Sequence, residues 1–541
     1  MVSPKLLNCL SHYFLPPFFS KVVRKLRNQY LRKTSSLSPQ YPPASKCALN
    51  SVTDRTLVCD INGALLRSAS FFPYFMLVAF EAGGIFRALF LTLVYPFLFF
   101  VGRETAMKVM IFISFCGLKQ SSFRVGKSVL PKFFLEDLHS QCYEMVMASS
   151  KTVVITSVPK IMVEEFLEEY LGVEVVLGTE LHFFHGYFTG FVGASGLVNK
   201  QSALKRSFAE IKPDIGVGSL KPDDCQFLSL CKEAYLVNSP DYKNSYILPR
   251  EKYPKPLIFH DGRLAFRPTS LASLAMFLWL PIALPLAIIR TLIGLLLPYK
   301  VAIIVGFATG MRFKLKNPNQ KPSSPILERE KSSNLEREAR QGVLYVCTHR
   351  TLLDPLYLAT ALNKPLTAVT YSLSRVSEIL APIKTVRLTR ERKEDGERMK
   401  RLLREGDLVV CPEGTTCREP YLLRFSPLFA ELTDEIVPVA INVTVSMFYG
   451  TSASGFKCLD PLFFLMNPFP NYEVEVLEKL PFELSCSSGK SSFEVANYVQ
   501  KKLGEALGFE CTTLTRKDKY LMLAGNEGIV GDACKRPNRS G

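Results

Sequence analysis

Motifs that mark several common chemistries are missing from this chain of 541 residues. Its 14 cysteines form no Cys-x-x-Cys pair, which argues against a structural zinc site and a disulfide framework and favours reduced thiols facing the cytosol. The chain has neither a P-loop nor a Gly-x-Ser-x-Gly elbow, so nucleotide binding and a serine acyl-enzyme are disfavoured. Zinc-ligand spacings, RNP-like aromatic blocks and long basic runs are also missing, so we expect no nucleic-acid partner.

What the chain does contain is positive charge and apolar sequence. The net charge is +17 at pH 7, 48% of the residues are hydrophobic and 21% are charged. A basic chain suits anionic lipid surfaces or phosphorylated substrates, and this charged fraction excludes a bundle that lies wholly in a membrane. Membrane association together with a phosphate-bearing ligand accounts for both properties.

Residues 1–50 contain an apolar stretch that Pro16 and Pro17 interrupt. It is too short to span a bilayer, and it lacks the basic flank and cleavage site of a secretory signal. We predict an N-terminal interfacial or targeting segment, with a membrane-surface anchor and a disordered tail as open alternatives.

Residues 51–240 predict a separate α/β domain. Apolar strands at residues 56–60, 152–156 and 214–218 are each followed by a helix-like segment, which is typical of a Rossmann-like parallel sheet. The set resembles the haloacid-dehalogenase (HAD) phosphatases. In that family one Asp is the nucleophile, a second Asp two residues later is the general acid, and further carboxylates hold magnesium.

The resemblance places remnants of this phosphatase site in the chain, with two positions altered. Asn62 stands where the general acid would be, and Ser219 stands where a magnesium ligand would be. An amide cannot deliver a proton, and a hydroxyl is a poorer magnesium ligand than a carboxylate. We therefore predict an inactive phosphatase-like domain without a metal, whose degenerate site consists of Asp60, Asn62, Thr156, Lys205, Ser219 and Asp223.

Residues 68–117 hold three apolar runs, each shorter than a membrane span. We predict helices that lie in the membrane interface or cap the domain, with a hairpin dipping into the bilayer as the alternative. His182 and His185 have a metal-like spacing without a third ligand nearby, so we interpret them as hairpin residues.

Residues 241–313 combine a polar, proline-rich linker, up to residue 267, with a long apolar run from Leu271. This run is long enough to cross a bilayer, and a re-entrant hairpin around Pro281, Pro285 and Arg290 fits it equally well. Residues 314–340 are predicted to be a second linker, and residues 516–541 a flexible tail.

Residues 341–515 carry the most informative pattern. An apolar strand leads to His349, and a helix is predicted from Asp354. This spacing lets the carboxylate orient the imidazole and stabilise the imidazolium, as a general base requires. A second strand precedes Pro-Glu-Gly-Thr, in which Gly414 lets the backbone approach a ligand closely.

These stretches together resemble the glycerolipid acyltransferase family, in which His-x-x-x-x-Asp and Pro-Glu-Gly are the first and third signature blocks. Residues 383–390 resemble the second block, and residues 436–440 resemble the fourth. Over nearly its whole length, the chain is similar to the land-plant glycerol-3-phosphate acyltransferases of the sn-2 type. The implied fold is α/β, with an N-terminal HAD-type domain, membrane-associated helices and a C-terminal acyltransferase domain.

The resemblance implies that His349 is the general base and that Asp354 orients it. Many relatives have an Arg directly after Pro-Glu-Gly-Thr, where this chain has Thr416 and the nearest Arg comes two residues later. The implied substrate-binding residues are Arg387, Arg390, Glu413, Gly414, Thr415 and Arg418.

The resemblance also implies an activity: transfer of an acyl group from acyl-CoA to glycerol-3-phosphate, giving lysophosphatidic acid for glycerolipids or for extracellular polyesters such as cutin and suberin. No cofactor is expected. The expected location is the endoplasmic reticulum membrane with the catalytic domain cytosolic, or a mitochondrial membrane. A bifunctional acyltransferase–phosphatase that releases 2-monoacylglycerol and a non-catalytic membrane scaffold are the alternatives.

Overall fold

The computed structural model describes residues 41–68, 70–208, 211–219, 226–237, 248–316, 342–371, 378 and 381–528. The chain forms two compact units. The first comprises Met1–Leu257 and Arg267–Phe277, and the second Ile258–Phe266 and Leu278–Gly541. Predictions made for residues 1–40, Asp223, residues 317–340 and residues 529–541 lie outside the described residues.

The first unit contains the predicted parallel sheet. Its strands are β1 (Thr56–Asp60), β2 (Lys151–Pro159), β3 (Val175–Thr179), β6 (Ile215–Ser219) and β7 (Glu233–Val237), and β4 (Leu181–Phe184) pairs with β5 (Tyr187–Val192) in a separate antiparallel hairpin. The five-stranded sheet has the order β3-β2-β1-β6-β7, and all its pairs are parallel. Helices cover both faces of such sheets, which is why the strands are almost continuously apolar.

Helices of the first unit are α1 (Phe72–Glu81), α2 (Ile85–Val94), α3 (Arg103–Phe115), α4 (Val125–Ser128), α5 (Leu130–Leu135), α6 (Ser140–Ala148), α7 (Lys160–Leu171) and α8 (Lys200–Phe208). The predicted apolar runs differ in how far they are buried. Helix α1 is buried from Phe72 to Phe80, whereas α2 and the 3₁₀ turn after it leave Phe86, Phe97 and Phe100 exposed. One run therefore belongs to the core, and another presents an aromatic surface.

The second unit is built on a larger, mixed sheet. Its strands are β8 (Arg312–Lys316), β9 (Leu344–Cys347), β10 (Thr367–Thr370), β11 (Lys384–Arg387), β12 (Leu408–Val410), β14 (Ile436–Thr444) and β15 (Asn471–Val476). The order is β11-β10-β12-β9-β14-β15-β8. Only the β14–β15 pair is antiparallel among these described strands. Strands β13 (Tyr421–Leu422) and β16 (Glu510–Cys511) form a separate short pair.

Helix α9 (Ser270–Leu296) contains the predicted membrane run and is continuous through Pro281 and Pro285. It is the one helix in the described part of the chain that is long and apolar enough to cross a membrane. Ala283, Ala287 and Arg290 recur at helical spacing on its buried side, while large apolar residues such as Leu278 and Ile282 are exposed. The remaining helices are α10 (Tyr299–Ala308), α11 (Asp354–Leu362), α12 (Arg392–Glu405), α13 (Asp460–Leu465), α14 (Ser492–Leu507) and α15 (Arg516–Ala524).

Three predicted segments differ from expectation. Ile258–Phe266, expected to be linker, groups with the second unit, where Asp261 accepts the backbone N–H of Ala453 at 3.0 Å. The start of the second linker forms β8, which pairs with β15. The flexible tail was expected from residue 516, but the chain there forms α15, whose capping box of Thr515 and Asp518 starts the helix.

Candidate active site

His349 and Asp354 meet at the carboxyl end of the sheet in the second unit. His349 follows β9, which lies between β12 and β14, and Asp354 is the first residue of α11. The Nδ1 atom of His349 lies 3.0 Å from the Oδ2 atom of Asp354. The structure therefore brings this predicted pair together in the orientation that leaves the other ring nitrogen for proton transfer.

The carboxylate of Asp354 is fully buried and held from several sides. It accepts hydrogen bonds from the backbone N–H of Arg350 at 2.6 Å and from the hydroxyl of Thr351 at 3.0 Å. The hydroxyl of Tyr472 donates to it at 3.0 Å, and the Tyr472 ring stacks on Tyr357 with a centroid distance of 3.6 Å. These contacts fix the carboxylate, and sequence reasoning missed Thr351 and Tyr472 as its partners.

Glu413 joins the first and third signature blocks. One carboxylate oxygen accepts the backbone N–H of His349 at 2.8 Å, and the other accepts the N–H of Leu423 at 3.0 Å. Burial raises the pKa of Glu413, although these backbone donors oppose the shift. Gly414 follows with φ +67°, a conformation that side-chain-bearing residues rarely adopt. Both oxygens of Glu413 are committed to loop backbone, so it positions the site.

The imidazole of His349 has a perturbed proton affinity. Burial disfavours the imidazolium, whereas Cys411 and Asp354 favour it, and the balance raises the pKa of His349 well above its usual value. A hydrogen bond with Cys347, together with burial, raises the pKa of the Cys411 thiol. Cys411 is consequently neutral near pH 7, which leaves Asp354 as the charged group that favours the imidazolium form of His349.

A cavity of about 1740 Å³ opens on His349 within the second unit. Its polar wall includes the predicted residues Arg387, Arg390, Glu413, Gly414 and Thr415. Its apolar wall is formed by α9 and α10, with side chains that include Ile288, Leu292, Ile303 and Phe307. One chamber therefore offers cations on one side and hydrocarbon-like surface on another.

The two arginines of the second block are held differently. Arg387 forms an ion pair with Glu378 at 2.8 Å. Arg390 adopts φ +75°, and its backbone N–H donates to Asp395 at 2.9 Å. The Arg390 guanidinium lies 5.9 Å from the ring centroid of Tyr371. Since Arg390 forms no ion pair within the described residues, its charge is the more available of the two.

Arg418 does not line this cavity, contrary to its predicted role as a phosphate contact. Its Nε atom donates to the hydroxyl of Thr451 at 2.8 Å, and its guanidinium lies 4.3 Å from the Tyr449 ring centroid. Asp261 is 3.7 Å away. The guanidinium is buried in a structural network, and its acidic partner, Asp261, comes from the segment predicted to be a linker.

Lysine 519 was not predicted at the site, yet it contacts the third block. The buried Lys519 ammonium lies 3.3 Å from the hydroxyl of Thr415 and 2.5 Å from the carbonyl oxygen of Thr416. It belongs to α15, whose Thr-x-x-Asp capping pattern is visible in the sequence. That pattern could have revealed a helix in the supposed tail.

The degenerate phosphatase site lies at the carboxyl ends of the strands in the first unit. Asp60 ends β1, Ser219 ends β6, and Thr156 lies near the end of β2; all three are buried. The Lys200 ammonium is 2.6 Å from the Asp60 carboxylate, and the backbone N–H of Asn62 donates to the same carboxylate at 3.1 Å. These groups do not fit a magnesium site, because Ser219 replaces an expected carboxylate ligand and the described residues contain no group of side chains that could hold a metal ion.

Lys205 was predicted as the lysine of this site, and the structure places Lys200 there instead. Helix α8 buries Lys200, Ala203 and Leu204, while Lys205 is exposed. Residues three and four positions apart share a helix face, so Lys200 lies on the same side as Ala203 and Leu204. Lys205 lies on the other side of α8.

Comparisons with known proteins cover most of the chain. Residues 56–237 match the HAD-like domain of RAM2-like glycerol-3-phosphate acyltransferases, and residues 327–442 match the acyltransferase domain family. The chain is 53% identical over 531 residues to glycerol-3-phosphate acyltransferase 1 of Arabidopsis thaliana, with 93% of this chain and 88% of that protein covered. It is 49% identical over 480 residues to glycerol-3-phosphate acyltransferase RAM2 of Petunia hybrida, with 87% and 97% covered.

The solved structures that resemble this chain include one acyltransferase. The 1-acyl-sn-glycerophosphate acyltransferase PlsC of Thermotoga maritima superposes with a TM-score of 0.25 and 15% identity. The superposition covers 43% of this chain and 95% of PlsC.

Proposed function

Because this chain belongs to the family of plant glycerol-3-phosphate acyltransferases and is such an enzyme, we propose that it transfers an acyl group from acyl-CoA to the sn-2 hydroxyl of glycerol-3-phosphate. The product is lysophosphatidic acid, which keeps its phosphate. Its proposed use is glycerolipid or extracellular polyester synthesis, in keeping with the land-plant resemblance.

The proposed mechanism is direct transfer with His349 as general base. Asp354 binds Nδ1 of the imidazole, so Nε2 accepts the proton of the attacking hydroxyl. The hydroxyl oxygen forms a bond to the thioester carbonyl carbon, and the resulting tetrahedral intermediate collapses with cleavage of the C–S bond. His349 returns the proton to the departing CoA sulfur. A thioester is activated enough that no acyl-enzyme is required.

The observation that carries this proposal is the shared cavity. His349, Arg390 and the apolar residues of α9 and α10 all line it, so a phosphate and an acyl chain each meet a matching wall beside one base. The cavity volume of about 1740 Å³ exceeds the roughly 300–1,000 Å³ of ordinary small-molecule sites. It is therefore large enough to hold two substrates together.

We also propose that the enzyme works at the endoplasmic reticulum membrane with its second unit in the cytosol. Helix α9 presents Leu278, Ile282 and Leu284 outward, and such surface is costly in water but favourable against lipid. The cysteines in the described part of the chain form no disulfide, which suits a reducing compartment. Fractionation with alkaline carbonate extraction tests the membrane assignment: release of the chain into the soluble fraction would contradict it.

The first unit is proposed to be silent as a phosphatase. The amide at Asn62 and the hydroxyl at Ser219 support this, because no general acid stands two residues after Asp60 and a carboxylate ligand for magnesium is replaced.

The decisive test uses membranes containing the chain, with glycerol-3-phosphate and a long-chain acyl-CoA. Products are separated, the acylated position is determined, and His349→Ala is the control. We expect sn-2 lysophosphatidic acid from the intact chain only. Monoacylglycerol with free phosphate would show an active phosphatase instead, and product from His349→Ala would remove His349 as the base.

A further inference from the structure

Helix α15 supplies charged side chains to the cavity that no signature block contains. Arg516 and Tyr520 from this helix line the same cavity as His349, as does Lys457 from the loop before α13. The Lys457 ammonium donates to the Tyr520 hydroxyl at 2.7 Å and lies 4.3 Å from the centre of its ring. The cavity wall therefore continues beyond the family motifs.

This wall is anchored close to the reacting centre. The buried Lys519 binds the hydroxyl of Thr415 at 3.3 Å and the carbonyl oxygen of Thr416 at 2.5 Å. These threonines directly follow Gly414, and the backbone N–H of Cys417 donates to the carbonyl of His349 at 3.0 Å. Helix α15 is thus tied to the loop that also holds the catalytic histidine.

Positive charge accumulates in this part of the cavity, although Asp395 and Asp460 also line it and Glu527 partly offsets the charge around Arg516. Burial and the neighbouring Arg390 guanidinium both lower the pKa of Arg516. Burial raises the pKa of Tyr520, but Lys457 and Lys519 outweigh it and lower that pKa. Within the described residues, neither Arg390, Lys457 nor Arg516 forms an ion pair with a carboxylate. A cluster of like charges is unfavourable unless an anion neutralises it.

Arg516 also retains donors for a ligand. Its Nη1 atom donates to the carbonyl of Gly528 at 2.7 Å, and no other hydrogen bond of its side chain occurs among the described residues. A guanidinium carries five N–H donors, so most of them are available. The bond to Gly528 holds the side chain in place, and the planar fork suits phosphate oxygens.

We propose that Arg516 and Lys457, together with Arg390, bind a phosphate monoester at this end of the cavity. The group belongs to glycerol-3-phosphate or to the acyl-CoA donor, which share this chemistry. The inference rests on the proposed acyltransferase function and extends its substrate site to a helix that follows every signature block.

The test compares Arg516→Gln with Lys517→Gln in the full-length chain in detergent. Lys517 is the adjacent residue on α15; it pairs with Glu527 at 2.7 Å and does not line the cavity. Losing hydrogen bonds to a charged group typically costs roughly tenfold or more in affinity. We expect Arg516→Gln to raise the KM for one substrate at least tenfold with little change in kcat, Arg516→Lys to recover part of the loss, and Lys517→Gln to match the parent chain.

The substrate affected identifies the ligand. A higher KM for glycerol-3-phosphate alone assigns the site to the acceptor, and a higher KM for acyl-CoA alone assigns it to the donor. Unchanged KM values for both substrates in a folded Arg516→Gln chain overturn the proposal, as does an equal effect from Lys517→Gln.

A binding measurement separates this proposal from the catalytic one. Glycerol-3-phosphate, and separately CoA, is titrated into the inactive His349→Ala chain while its thermal unfolding is followed. We expect one of them to raise the Tm of His349→Ala and to have a reduced effect when Arg516→Lys is added. If the parent chain transfers no acyl group but the Tm shift is still observed, only the proposed reaction is refuted. Absence of a shift with either compound would refute the phosphate site.

Discussion

The backbone N–H of His349 donates to the Glu413 carboxylate at 2.8 Å, so the base is positioned by a residue of another signature block. Replacing Glu413 with Gln leaves one oxygen and one NH₂ group for two N–H donors. We expect Glu413→Gln to lower kcat at least tenfold and the free energy of unfolding by about 1–3 kcal/mol. Steady-state kinetics and chemical denaturation measure the two effects, and exposed Glu431→Gln is the control. Full activity in Glu413→Gln would mean that the loops of His349 and Leu423 keep their positions without this carboxylate.

The raised pKa of His349 predicts the acidic limb of the pH–rate profile. Only the neutral imidazole accepts a proton, so kcat/KM should rise with pH until the raised pKa is passed, above the usual value of about 6.5. Asp354→Asn removes the charge that favours the imidazolium. The acidic limb of the Asp354→Asn pH–rate profile should therefore move to lower pH. Its kcat should fall by roughly 10²-fold or more, because the His349 imidazole loses its orientation. A limb that Asp354→Asn leaves in place would identify another group as the base.

Asp60 provides a test of the first unit. We expect Asp60→Asn to leave the products unchanged, with lysophosphatidic acid formed and no free phosphate, in the presence or absence of magnesium. The physical reason is that Asn62 cannot act as the general acid and Ser219 replaces a carboxylate ligand of magnesium, so Asp60 has no reaction to start. A phosphate-release assay beside product chromatography measures it. If the parent chain released monoacylglycerol and Asp60→Asn did not, the unit would be an active phosphatase.

Arg290 lies in an apolar helix, and we expect its replacement to destabilise the fold strongly. Its guanidinium donates to the carbonyls of Leu465 and Asn467, each at 2.6 Å, and to those of Pro468 and Thr309. Arg290→Met leaves these acceptors without a donor, which should lower the free energy of unfolding by about 3 kcal/mol or more. Thermal unfolding in detergent measures the loss. Arg392→Met, which breaks only an exposed pair with Glu431, should leave the Tm nearly unchanged.

Local patterns predicted part of the site well. His349 and Asp354 are near neighbours in sequence at a strand end and a helix start, so their spacing alone indicated their contact. Lys205 was chosen over Lys200 without knowing which face of α8 is buried. The buried face carries Lys200, Ala203 and Leu204, and Lys205 is exposed.

Long-range contacts account for the remaining differences. Arg418 was assigned to phosphate because it follows the third block, but its position is decided by Asp261 and Thr451, both remote in sequence. Tyr472 reaches Asp354 from the antiparallel strand β15. No spacing in the sequence indicates such partners, because they depend on how the strands are ordered in the sheet.

The path of the chain through residues 258–278 limits how this enzyme can be divided or recombined. The chain enters the second unit at Ile258, leaves it at Arg267 and returns at Leu278. A fragment starting at the recognised acyltransferase sequence would lack β8 and also Arg263, which pairs with Asp460 at 2.5 Å. A chimera that keeps the second unit whole therefore needs a junction before Ile258, and it carries Arg267–Phe277 of the first unit along with it.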